Sequence, residues 1–150
     1  MPKALFIGHT YIDVTIIADH IPTGDDKAVA DDYAFGPGGN AVIAAFTNAM
    51  FGGQTVLLSS AGKDSLSDYL DTLYTKTGIE FHPRHVSRSA LSLVMPNDGK
   101  RAILRCRDTD YPPYIPQVSL DDVRILHLDG HQPDAAVHYA KLAREKGILT

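Results

Sequence analysis

The run Ala4-Leu5-Phe6-Ile7-Gly8 is apolar throughout rather than alternating. A run of that kind suits a strand covered on both faces, as in a parallel sheet. Val14 to Ala18 is rich in β-branched residues and reads as extended, and Ile21-Pro22-Thr23-Gly24-Asp25-Asp26 is turn chemistry. Ala28 to Phe35 reads as another short strand. Gly36-Pro37-Gly38-Gly39-Asn40 then opens a helix over about Ala41 to Phe51, which Gly52-Gly53 closes. Thr55 to Ser60 is the next strand. Gly62-Lys63-Asp64 leads into a second helix, whose apolar stripe Leu66, Tyr69, Leu70, Leu73 and Thr77 recurs at helical spacing. Ser65 with Asp68 resembles a capping box, and Gly78 is the stop. Leu91 to Met95 and Ala102 to Cys106 flank Pro96-Asn97-Asp98-Gly99-Lys100, whose Asp-Gly marks a hairpin. Val123 to Asp129 is a further strand. A helix from Asp134 to Lys146 follows, stopped by Gly147, and Ile148-Leu149-Thr150 begins another apolar run.

Strands alternating with helices predict a mostly parallel α/β sheet joined by right-handed crossovers. Two extended stretches, about residues 12–35 and 90–107, fall outside that alternation. They are expected to pair with each other as a small separate sheet. The final apolar run is shorter than an ordinary strand, so the chain is expected to be the front part of a larger protein.

Composition narrows the function classes. The chain has 150 residues and is 44% hydrophobic, enough to bury a real core. Fourteen basic residues stand against 18 acidic ones, for a net charge of −4, and the basic residues form no run. That argues against a nucleic-acid or anionic-membrane partner. The longest apolar stretch, Ala41 to Phe46, is too short to span a bilayer. The residues before the first strand carry no signal-peptide pattern. A lone cysteine, Cys106, excludes an internal disulfide and fits a reducing compartment, so a cytoplasmic protein is expected.

Four groups of residues are candidates for chemistry. Asp13 follows the first strand, and ligands of open α/β sheets sit past the carboxyl ends of strands. A carboxylate there accepts two strong hydrogen bonds from neighbouring hydroxyls, which suits a sugar or polyol; otherwise it merely ends a strand. Gly38, Gly39 and Asn40 sit at a helix start, where free amides and the Asn amide meet oxygen-rich groups. The plainer reading is a tight turn with Asn as helix cap. It is not a Walker loop, because the Gly-Lys-Ser/Thr ending is absent. His127, Asp129 and His131 alternate, a possible divalent-metal arrangement and the basis for a metal-dependent hydrolase. Asp129 alone is also a ligand candidate at a strand's end. Arg105 and Arg107 are predicted to share a strand face, where they either hold an acidic substrate group or form a solvated face. Cys106, between them, reads as packing.

Taken in order, these residues resemble the N-terminal half of a ribokinase-like (PfkB family) carbohydrate kinase. Four features carry the likeness across the whole chain. They are the opening strand with Gly8 and Asp13, the turn Gly36-Pro37-Gly38-Gly39-Asn40-Ala41, the segment Gly62-Lys63-Asp64, and the hairpin Leu91 to Leu104. Phe35 and Pro37 interrupt the glycine pattern that usually precedes the Asn. The resemblance implies a twisted α/β sheet with helices on both faces and a small β lid over the sugar. It implies dimerisation through that lid, and transfer of the ATP γ-phosphate to a sugar hydroxyl with magnesium. It implies sugar-binding roles for Asp13, Gly38, Gly39 and Asn40, with Asp129 a weaker match. The family's catalytic base, an Asp in a Gly-Ala-Gly-Asp helix start, has no match here. The base and the nucleotide pocket are therefore expected outside these residues, and the chain alone is expected to be inactive. A non-catalytic sugar-binding module is the other reading that uses the same cleft.

Overall fold

The computed structural model describes residues 2–107 and 110–150. Its strands are β1 (Lys3–Gly8), β2 (Tyr11–Ile17), β3 (Asp32–Gly38), β4 (Gln54–Ala61), β5 (Glu80–His85), β6 (Leu91–Asn97), β7 (Lys100–Cys106) and β8 (Val123–Leu128). Its helices are α1 (Asn40–Met50), α2 (Ser65–Thr77) and α3 (Pro133–Glu145). The larger sheet has the order β5-β4-β1-β8 and every pair in it is parallel.

Alternation along its central strands explains their continuous apolar sequence. Leu5, Ile7, Val56, Leu58 and Leu126 point to one side and pack with Ala135, Tyr139 and Ala143 of α3. Ala4, Phe6 and Leu57 point to the other and pack with Val42 and Ala45 of α1 and Leu70 and Tyr74 of α2. Both faces are dry, so no polar face is left to betray the strand period. Helices therefore cover both faces, as the sequence predicts.

The second sheet has the order β3-β2-β6-β7. Its centre is a parallel pairing of β2 with β6, flanked by two antiparallel pairs. The two stray stretches thus join each other. Asp98 and Gly99 have φ of 48° and 72° and form the two-residue turn between β6 and β7. Leu149 bridges Ile125 in parallel alongside β8.

Three local expectations shift. The third strand runs over Asp32–Gly38 rather than Ala28 to Phe35, so Gly36-Pro37-Gly38 is strand and not turn. The turn is concentrated in Gly39, the N-cap of α1, at φ 100°, where a Cβ would collide with the His9 carbonyl. The cap of α2 is Asp64, whose carboxylate accepts the Ser67 amide at 3.1 Å, instead of a Ser65–Asp68 box.

Candidate functional site

The chain leaves β1 at Gly8, turns through His9 and Thr10, and enters β2. Asp13 lies on β2 opposite Gly36 of β3 and beside Ser92 of β6, with Arg105 of β7 next in the row. A Cβ on Gly38 would run into the Asp13 carboxylate, so only glycine leaves that group its place. Asn40 opens α1 from the other side. Because Gly39 is the cap, the Asn40 side chain is not used to close the helix end. Asp13 and Asn40 line one cavity of about 240 Å³, together with Tyr11, Gly39, Ser92 and Arg105. The cavity lies between the second sheet and the start of α1. A carboxylate, an amide and a serine hydroxyl converge there, which is hydrogen-bonding capacity suited to a small polyhydroxylated molecule.

Asp129 does not line this cavity. One of its oxygens accepts the His9 amide at 3.2 Å and the Ala41 amide at 3.3 Å, and the other accepts the His131 amide at 2.9 Å. It clamps the end of β1 to the first turn of α1, and Gly8 is required because a Cβ there would meet the carboxylate and the Ala41 methyl. The predicted ligand is thus engaged as a helix-end acceptor.

His127, Asp129 and His131 do not converge. His127 pairs with Phe6, ring centroids 5.6 Å apart, on the side of the sheet that α1 and α2 cover. His131 lines the cavity, with its ring 5.6 Å from that of His9. Among the described residues no three His, Cys, Asp or Glu side chains are grouped to hold a metal ion.

Arg107 falls one residue beyond β7 and, unlike Arg105, does not line the cavity. It acts on Tyr111 instead: burial pushes the Tyr111 hydroxyl above its ordinary pKa, and Arg107 draws it partly back. Arg101, two steps of the alternation before Arg105, lines the cavity in its place. Counting backwards by two along β7 finds Arg101, a signal the sequence does contain.

Several residues that organise the site carry no sequence signal. His9, 1% exposed, bonds through Nδ1 to Tyr111 Oη at 2.7 Å and Ser60 Oγ at 3.3 Å. Arg84 is fully buried and donates to both Asp134 oxygens at 2.9 and 2.7 Å and to the Pro112 carbonyl at 2.6 Å. Its hydrogen bonds hold the Asp134 carboxyl below the ordinary carboxylate range, against the opposing effect of burial. Gln132, itself buried, accepts from Arg84 and donates to the Gly8 carbonyl. Burial raises the Asp64 carboxyl, but hydrogen bonds from Ser89 and from the Ser67 and Leu66 amides outweigh it and bring it below its ordinary value.

A provisionally assigned ribokinase from Agrobacterium tumefaciens superposes with a TM-score of 0.87 at 22% identity, over 98% of this chain and 50% of that one. Arabidopsis thaliana ribokinase, complexed with ribose and ATP, gives 0.80 at 17% identity, over 98% and 51%. Cryptococcus neoformans var. grubii serotype A ribokinase, complexed with ADP, gives 0.78 at 20% identity, over 100% and 50%. The chain spans about half the length of these structures, and at such identities they establish a ribokinase-like fold. The family profile described as pfkB family carbohydrate kinase matches residues 1–146, nearly the whole sequence, and the chain belongs to that family.

Proposed function

We propose that this chain forms the acceptor-sugar half of an ATP-dependent sugar kinase. The observation that carries the reading is the shared cavity of Asp13 and Asn40. Asp13 accepts hydrogen bonds from two adjacent hydroxyls, and its negative charge makes those bonds stronger than neutral ones. Asn40 donates to one oxygen and accepts from another, which fixes the sugar's orientation. Gly38 and Gly39 keep the backbone close, Gly38 by leaving Asp13 its space. The second sheet, with Ser92 and Arg105, covers the sugar and keeps water from competing for the phosphate.

Phosphoryl transfer depends on positioning and charge stabilisation. On the family resemblance, ATP, magnesium and the catalytic base act through residues other than these. This chain's share in that reading is to hold and orient the acceptor, through Asp13, Asn40 and Ser92. The outer face of the second sheet exposes Tyr33 (68%), Phe35 (51%) and Leu104 (67%). Apolar exposure of that kind supports homodimerisation through the lid. No described helix is long and apolar enough to cross a membrane, and a cytoplasmic location belongs to the same reading.

A coupled assay tests it. The full-length protein should phosphorylate a sugar from a panel of pentoses and hexoses in the presence of ATP, and residues 1–150 alone should show no turnover. Turnover by the 150-residue chain, or none by the full-length protein on any sugar, would contradict the reading.

A further inference from the structure

The fixed charges of the cavity oppose the net charge of the chain. The chain carries a net charge of −4. The cavity is lined by Arg101, Arg105 and Asp13, so its ionised side chains sum to a positive value. Register explains how. Asp13, Ser92 and Arg105 form one row across β2, β6 and β7, and Arg101 lies on the same face of β7 four residues nearer the hairpin tip. At an antiparallel strand's rise, that separation is about 13 Å along the sheet.

Arg105 is held against an aromatic ring. Its guanidinium carbon stands 5.2 Å from the centroid of the Tyr11 ring, which also lines the cavity. Among the described residues neither Arg101 nor Arg105 is ion-paired with a carboxylate, in contrast to Arg84, whose fork is taken by Asp134. A neutral polyol needs no cation here, since Asp13, Asn40 and Ser92 already meet its hydroxyls. Charge on an edge strand such as β7 also guards against stray pairing, but that role does not require the side chains to face a cavity.

Resting on the sugar-kinase reading, we infer that the acceptor carries an anionic group, a carboxylate or a phosphate monoester, which Arg105 grips while Asp13 holds hydroxyls at the other end. A planar guanidinium matches either group in two-point geometry. Arg101 adds a second positive charge nearer the hairpin tip and draws such an acceptor in.

The test uses the full-length protein and matched acceptors: neutral sugars, their aldonic acids and their terminal monophosphates. The best acceptor should be an acid or a monophosphate, preferred over its neutral parent by about tenfold or more in kcat/KM, equivalent to about 1.4 kcal/mol. Added salt should shrink the preference. Arg105→Met should cut the anionic-to-neutral ratio about tenfold, and Arg105→Lys should restore part of it, because charge returns without the fork. Whichever anionic class wins identifies the group. A neutral sugar as best acceptor, a ratio unmoved by Arg105→Met, or an effect confined to the KM for ATP would overturn the inference while leaving sugar phosphorylation intact. No phosphorylation and no binding of any polyol would instead remove the sugar-kinase reading, and this inference with it.

Discussion

Gly38 and Asp13 are coupled through space rather than through bonds. The backbone at Gly38 is ordinary extended strand, so alanine meets no conformational objection there. Its methyl does meet the Asp13 carboxylate. Gly38→Ala should therefore weaken sugar binding by about tenfold or more while shifting stability by less than about 1 kcal/mol, because Asp13 is displaced and no core is disturbed. Paired calorimetric and thermal-melting measurements on that variant check both halves of the statement. Asp129 behaves in the opposite way. Asp129→Ala orphans three backbone amides at the joint of β1 and α1. A loss of about 2–3 kcal/mol is expected in urea unfolding, with Asp129→Asn losing less because one acceptor oxygen remains. From sequence, both aspartates looked alike: each follows an apolar strand. What separates them is whether backbone N–H groups surround the carboxylate, and chain position alone does not encode that.

Among the elements, those with a strong period or a strong stop were legible. The parallel strands β1, β4 and β8, the helices, and the Asp98-Gly99 hairpin follow from apolar runs, helical spacing and turn residues. Strand β5 was not visible. Its sequence Glu-Phe-His-Pro-Arg-His is polar, and Pro83 lacks the N–H that a central strand needs. It survives as a strand because it sits at the edge of the sheet, paired among the described residues with β4 alone. Phe81 packs partly buried against Tyr74, while the one fully buried residue of β5 is Arg84, whose ion pair with Asp134 joins β5 to the first turn of α3. That pair sets a pH dependence. The Asp134 carboxyl titrates lower in the folded protein than in the unfolded chain, and so does Asp64 at the cap of α2. Their stabilisation is therefore full above the unfolded value, near 3.8 for both, and is lost as pH falls through the lower folded values. Unfolding free energy should be flat on this account at neutral pH and fall in acid. Asp134→Asn should flatten the acid limb, measured by urea titration across pH 2.5 to about 6. An acid limb unchanged in Asp134→Asn and in Asp64→Asn would refute the assignment.

At the scale of the whole molecule, function follows from how two sheets meet. One supplies a base whose central strands β1 and β4 are buried on both faces. The other crosses the carboxyl end of that base and brings Asp13, Ser92 and Arg105 over the opening of α1. Sequence order alone indicated that residues 12–35 and 90–107 form a sheet of their own. It did not reveal which face of that sheet looks inward, because Tyr33, Phe35 and Leu104 make the outward face apolar as well. An isothermal titration of the full-length protein and its Asp13→Ala variant with the preferred acceptor tests the account most directly. Clear binding is expected for the parent protein, with a loss of about thirtyfold or more in the variant, the worth of one charge-assisted contact of about 2 kcal/mol. Equal affinities in the two proteins would contradict it.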